Sequence, residues 1–374
     1  MDREVYIYAL SRVFDMKPYL GRRLVENFEN LSDLFEMKES DLIELFGGNM
    51  DLAGRMLENG LLEKSYREMM WADSKGVSLL FYDDDKYPKL LKECEDAPML
   101  LFYMGSAGIN AHMPVSIVGT RLASSYGKET CYRLVEELAV SNTLIVSGMA
   151  YGIDACAHRA AIDYELPTIG VLPCGIDTIY PEAHREIAKK MVENGGIITE
   201  FPPGCGVRKW HFLKRNRIIA GMSEYTVVVE SRLRGGAMRT AEYANSYNRE
   251  VYAVPGRLYD TNSIGCNYLI SRNMAQICIG GTISAAINSS KKEGPSSSLH
   301  QSLFLFDSDK KEKILLSLKN NSVQDADSLS RTTGLSAGEL AQVLLELELE
   351  GSISGDKWGR YSLSGHSGKA DGIL

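Results

Sequence analysis

Five cations crowd into ten positions of this chain: Arg208, Lys209, Lys214, Arg215 and Arg217. Trp210, His211 and Phe212 are threaded among them, and from Phe201 to Ser223 there is no Asp or Glu. Cations interleaved with aromatics suit a polyanion whose bases can stack, which points first to nucleic acid. Yet the 374 residues carry a formal net charge of −8. Residues 1–100 alone hold 13 Lys+Arg against 21 Asp+Glu, a local net of −8. Non-specific affinity for nucleic acid comes from phosphate neutralisation, so such a chain does not coat DNA by its overall field. Any site must be local.

The elements that position these residues are strands. Short β-branched runs recur at VSIVG (115–119), TLIVSG (143–148), TIGVLP (168–173), GIITEF (196–201), YTVVVE (225–230) and EVYAVPG (250–256). Amphipathic stretches such as YGKETCYRLVEELAV separate them. In YTVVVE the apolar residues are continuous, as in a strand covered on both faces. Six strands with helical crossovers predict an α/β fold, a doubly wound parallel sheet of the Rossmann kind.

In such sheets ligands sit beyond the carboxyl ends of the strands. The segments there are Gly119-Thr120-Arg121, Ser147 to Asp154, Pro173-Cys174-Gly175, and Glu230 followed by Arg232–Thr240. Gly148, Gly152 and the Gly235-Gly236 pair let backbone N–H groups approach an anion, and helix N-termini add favourable dipoles. Taken singly, such glycines serve equally well as tight turns. With Arg121, Arg215, Arg217 and Arg239 near the same edge, they predict an anion site. None forms a dinucleotide fingerprint, so no cofactor is expected. Asp154 and His158 lie four apart on one helix, where an Asp–His pair bracing the helix start is the commoner arrangement. Glu200, Glu230 and Glu242 could each serve as a base, but no nucleophile elbow or metal-ligand spacing accompanies them. The expectation is a non-enzymatic protein. Asn216 reads as a hydrogen-bonding anchor.

Around this core, residues 1–70 read as a helical head with a solvated acidic face. Residues 77–103 read as an extended connector packed on the core that begins at Pro114, and 77–281 as one α/β domain. The polar stretch 282–303, rich in Ser, reads as a linker. Residues 304–365 then spell three helices and a β-hairpin, a winged helix, with Ser336 and Glu339 as a capping box. Its third helix, SAGELAQVLLELELE, has four Glu and no Lys or Arg, so it is not expected to read duplex DNA. Residues 366–374 read as a disordered tail. Seven scattered cysteines without a framework, and no apolar run of about 18 residues, predict a reduced, cytoplasmic protein without a membrane span.

These motifs resemble the bacterial DNA-processing protein A family (DprA, also called Smf). The resemblance covers about 80–275 and rests on IVGTR (117–121), IVSGMAYGIDACAH (145–158), VLPCGIDTIYP (171–181), TEFPPG (199–204), RNRIIAG (215–221), AVPG (253–256) and GCNYLI (265–270). The head and the winged helix are similar to the family's accessory domains; the head is SAM-like or helix-hairpin-helix-like but lacks a Gly-x-Gly hairpin. The resemblance implies single-stranded DNA binding in an extended Rossmann domain, a homodimer through that domain, and loading of RecA recombinase during natural transformation. It implies that Arg121, Lys214, Arg215 and Arg217 grip phosphates. Gly148, Gly152, Gly235 and Gly236 would let the strand approach, and Arg234 and Arg239 would add contacts. The chain departs from the family pattern at Tyr151, at Leu213, in RGGAMRTA and after the LI motif. A second resemblance, to nucleotide-processing phosphoribohydrolases of the LOG group, rests on Gly235-Gly236 followed by Thr240 and Glu242 at altered spacing.

Overall fold

All six apolar runs become strands of one nine-stranded sheet in the computed structural model, which describes residues 2–141, 143–292, 308–320, 323–349, 352–356 and 360–363. The strands are β1 (Ser78–Phe81), β2 (Leu100–Gly105), β3 (Met113–Val118), β4 (Thr143–Gly148), β5 (Thr168–Val171), β6 (Gly196–Thr199), β7 (Tyr225–Val228), β8 (Glu250–Ala253) and β9 (Gln276–Ile277). Their order is β1-β2-β6-β5-β4-β3-β7-β8-β9. Pairing is parallel from β6 through to β9, with Val115 of β3 between Ile145 of β4 and Tyr225 of β7. Every residue of β4, β5, β6 and β7 is buried, which is why their sequences do not alternate.

The stretch expected to be a connector contributes β1 and β2, which extend the sheet, β2 antiparallel to β6 and β1 antiparallel to β2. Before it come six helices: α1 (Arg3–Val13), α2 (Pro18–Asn27), α3 (Ser32–Glu36), α4 (Glu39–Leu45), α5 (Met50–Met56) and α6 (Leu61–Ser74). Tyr8 of α1 is fully buried and meets Phe102 of β2 edge to face at 5.9 Å. The head thus shares a core with the sheet, and Met1–Lys292 forms one compact unit.

After α7 (Lys89–Lys92) come the crossover helices α8 (Ser125–Ala139), α9 (Ile153–Asp163), α10 (Arg185–Asn194), α11 (Lys209–Gly221), α12 (Gly236–Ser246), α13 (Ile264–Ser271) and α14 (Thr282–Lys292). In α8 the Ser124 side chain caps the helix by accepting the Gly127 N–H at 3.0 Å. Cys131, Leu134, Val135 and Leu138, spaced i, i+3, i+4, i+7, lie against Val115, Ile117 and Ile145 of the sheet. Each of the larger three contributes roughly 1.5–3 kcal/mol by burial. α14 corrects the expected linker: Ile283 and Ile287, four apart, are buried in that same core, so helix runs to Lys292. The remaining linker positions 293–303 and the tail 366–374 lie outside the described residues.

Glu293–Leu374 is a second unit. It holds α15 (Ser308–Asn320), β10 (Gln324–Asp325), α16 (Ala326–Thr333), α17 (Ala337–Leu349), β11 (Ile353–Gly355) and β12 (Arg360–Leu363). The last two strands form the wing hairpin, with β10 added to β12. The capping box closes as expected, Ser336 N and Oγ donating to the Glu339 carboxylate at 3.1 and 2.6 Å.

Candidate nucleic-acid interface

The chain winds outward from β3 through β4 and β5 to β6, then returns to place β7 on the other side of β3. This reversal opens a crevice between the loops after β3 and β7. Its volume is about 780 Å³. Arg121 and its neighbours form one lip, Ser231 to Gly236 the other, and α11 lies alongside. Thr120 N donates to Glu230 O at 2.7 Å, and Ile153 N donates to Thr120 O at 3.2 Å, so the loops are tied to each other and to α9. Glu230 is buried and accepts from Ser124 N at 2.9 Å; it holds the start of α8 rather than facing the crevice.

Two glycines are required here on steric grounds. Gly152 has φ +80°, and a Cβ on it would lie 2.1 Å from Thr120 O. At Gly148 a Cβ would lie 2.3 Å from Arg215 Nη1, so the guanidinium occupies the space that a side chain would fill. Gly235 caps α12, whose N-terminus opens on the crevice and adds a favourable dipole for an anion. A Cβ on Gly236 would meet nothing within 4 Å, leaving that backbone open to close approach.

Five cations line the crevice, Arg121, Lys209, Arg215, Arg232 and Arg234, against one carboxylate, Asp154. Arg215 is 4% exposed and donates to Val171 O, and burial lowers its pKa to about 10 despite the nearby Asp154. Asp154 accepts the N–H groups of Ala150 and Gly119, yet burial raises its carboxyl to about 7. The ring of Phe212 lies under the Arg121 guanidinium at 5.0 Å and meets Tyr180 at 5.7 Å. The crevice thus offers positive charge with two aromatic faces beside it.

The expected gathering of Arg121, Lys214, Arg215 and Arg217 at one lip does not occur. α11 turns about 100° per residue, so its side chains part. Lys209, Phe212 and Asn216 face the crevice, with Arg215 beneath it. Lys214 and Arg217 face the other way and meet at Glu200: Lys214 Nζ is 3.1 Å from Oε2, and Arg217 Nη2 bonds to the same oxygen. Arg217 also donates to Asp96 O. Its pKa is raised by Glu200 and Asp96 against the opposing effect of burial. Arg239 points away from the crevice and pairs with Glu242 at 2.6 Å on the exposed side of α12, which also removes Glu242 from any catalytic position there. Asn216 is the anchor expected, its Nδ2 donating to Gly236 O at 3.3 Å. Asp154 and His158 are not partners. His158 Nδ1 meets Thr168 Oγ1 at 2.7 Å, and burial lowers its pKa to about 3.

Lys209, Phe212 and Arg232 were noted in the sequence, and Tyr180 lay within a family motif, but none of the four was assigned to the grip, and the crevice brings them into it. The signal was available: 209, 212 and 216 stand at i, i+3, i+7, one face of a helix, whereas 210, 214 and 217 share another.

A doubly wound sheet with a cationic crevice at its switch point, followed by a winged helix, defines the class of this protein. The comparisons narrow it. The family model "DNA recombination-mediator protein A" matches residues 78–287, and the "DprA winged helix domain" matches 305–355. The chain belongs to the DNA-processing protein A family. It is 32% identical over 282 residues to Protein Smf of Synechocystis, covering 74% of this chain and 71% of that protein. The DNA processing protein DprA of Streptococcus pneumoniae is 37% identical over 202 residues, covering 54% of this chain and 71% of that one. The crystal structure of the S. pneumoniae protein matches with a TM-score of 0.62 at 31% identity, over 76% of this chain and 98% of that one. A Helicobacter pylori structure, described by its single-stranded DNA binding mode, matches with a TM-score of 0.51 at 30% identity, over 58% of this chain and 96% of that one.

Proposed function

We propose that this chain binds single-stranded DNA in the crevice between β3 and β7 and acts as a non-enzymatic recombination mediator. It works in the cytoplasm as a homodimer through the α/β unit and delivers the strand to RecA. The observation that supports the grip is the five-to-one excess of cations over carboxylates beside the half-buried ring of Phe212 and the exposed ring of Tyr180. Phosphates neutralise such charge, and unpaired bases, unlike those inside a duplex, have faces free to stack on the rings. Arg121, Lys209, Arg232 and Arg234 meet phosphates. Buried Arg215 supplies a fixed charge beneath them in the space that Gly148 leaves, Gly152 lets the loop after β3 pack, and Gly235 and Gly236 keep the lip's backbone open for contact. The winged helix, with its acidic α17, docks protein rather than the strand.

The test is anisotropy with a labelled oligonucleotide, single-stranded and duplex, on wild type and Phe212→Ala. Base stacking on an aromatic side chain is worth about 1–3 kcal/mol. The variant should therefore lose about 5- to 150-fold for the single strand and much less for duplex. Equal affinities for the two forms, untouched by the substitution, would sink the reading. RecA delivery predicts that the protein lets RecA displace a single-strand binding protein from an oligonucleotide. Displacement at the rate of RecA alone would count against it.

A further inference from the structure

Arg121 touches more than the ring beneath it. Its guanidinium lies over Phe212 at 5.0 Å, while its backbone packs on Gly152, where a Cβ would lie 2.7 Å from the Arg121 carbonyl carbon and oxygen. The residue before that glycine is Tyr151, which the grip described above leaves unused. It follows Ala150 of the crevice wall and is 51% exposed. The ring is held in place. Tyr151 meets the buried His184 edge to face at 4.9 Å, and His184 Nδ1 donates to Met149 O at 2.8 Å. Burial lowers the His184 pKa, so this neighbour adds no charge at neutral pH. Gly152 at φ +80° and Ala150 N, donating to Gly148 O at 2.6 Å, fix the backbone on either side.

One short segment, residues 180–184, supports both sets of rings. Tyr180 meets Phe212 at 5.7 Å, and His184 meets Tyr151. Arg121 therefore has Phe212 and Tyr180 at its guanidinium and Tyr151 beside its backbone. In a single strand each phosphate joins two nucleosides, so a phosphate seated on Arg121 has one base to send each way. We propose that Tyr151 is a second base platform: with a phosphate at Arg121, one flanking base lies on Phe212 and Tyr180 and the other on Tyr151. A ring fixed before binding loses little rotamer freedom on contact, so more of the stacking energy is kept. Every base has a π-face, so the platform takes any of them. The inference rests on the strand reading above.

An abasic walk, read by anisotropy on the full chain, tests the proposal. The probe is the shortest labelled oligo-dT that binds with full affinity, which leaves no room for sliding. Each nucleotide in turn is replaced by an abasic residue. Tyr151→Ala and Tyr151→Leu should each weaken the intact strand about 5- to 150-fold, the worth of one base stacked on an aromatic ring, while Tyr151→Phe should match wild type. At one position an abasic residue should weaken wild type yet leave Tyr151→Ala no weaker than it already is. Phe212→Ala should lose its sensitivity at a different position. Since no charge is removed, Tyr151→Ala should keep the wild-type dependence on salt. Wild-type affinity in Tyr151→Ala and Tyr151→Leu, beside a weakened Phe212→Ala, overturns the proposal and leaves the strand reading standing. A loss in Tyr151→Ala that persists at every abasic position also overturns it, because a side chain that acts only on the fold has no base to lose. If neither ring matters and duplex binds as well as the single strand, the strand reading falls and the second platform falls with it.

Discussion

The division of the basic run by α11 makes a sharp prediction about salt. Each phosphate neutralised on a single strand contributes about 0.7 to the slope of log affinity against log salt. With the four exposed crevice cations, Arg121, Lys209, Arg232 and Arg234, each meeting a phosphate, the slope is about −2.8, and affinity falls about 50-fold from 50 to 200 mM salt. Arg121→Ala removes one contact, so the slope relaxes to about −2.1 and the loss to about 20-fold. Lys214→Met removes a charge of the same sign only a few residues from Lys209, yet it should leave the slope at its wild-type value. Lys214 is 12% exposed and already neutralised by Glu200 at 3.1 Å. Its loss should appear in stability instead, at about 1–3 kcal/mol for a hydrogen bond to a charged group. Anisotropy at four salt concentrations, below the unfolding temperature of either variant, separates the two. If Lys214→Met relaxes the slope as much as Arg121→Ala, the strand runs on the other side of α11 and the assignment to the crevice is refuted.

The same geometry sets three further outcomes. Arg217→Met leaves the buried Glu200 with one cation and Asp96 O without its donor, so it should lower the free energy of unfolding by about 3–5 kcal/mol in urea; an unchanged midpoint would show that the pair is idle. Burial lifts Asp154 from 3.8 to about 7, and a carboxyl whose pKa rises on folding holds its proton more tightly in the native state. Its contribution is therefore full below about pH 4 and lost as pH rises through about 7. At about 1.4 kcal/mol per pH unit, wild type should lose about 4 kcal/mol relative to Asp154→Asn across that window; parallel pH–stability curves would refute it. Removing residues 304–374 should leave affinity for the single strand within a few-fold, and its abolition would assign the grip to the winged helix.

The sheet was legible because its central strands are buried on both faces, which makes runs such as Tyr225–Val228 continuous and β-branched. Its antiparallel edge was not. Ser78–Phe81 and Leu100–Gly105 are separated by a turn-rich, acidic stretch, and nothing local tells an edge strand from a packed connector. The end of the α/β unit was misplaced for a related reason. Serines around 289 suggest a linker, while only Ile283 and Ile287, four apart, record the helix that packs there. In the site, the types of residue were readable and their directions were not. Arg215 and Arg217 look equivalent in sequence, yet one lies beneath the crevice against Gly148 and the other is held by Glu200 and Asp96. Two residues along a helix is a turn of about 200°, enough to send neighbours into different compartments.

α11 has no idle face. One side borders the crevice, another the sheet, and a third a cavity shared with the head. Two of those sides are open space, so α11 is a thin partition, and Phe212 and Trp210, two residues apart, wall different compartments.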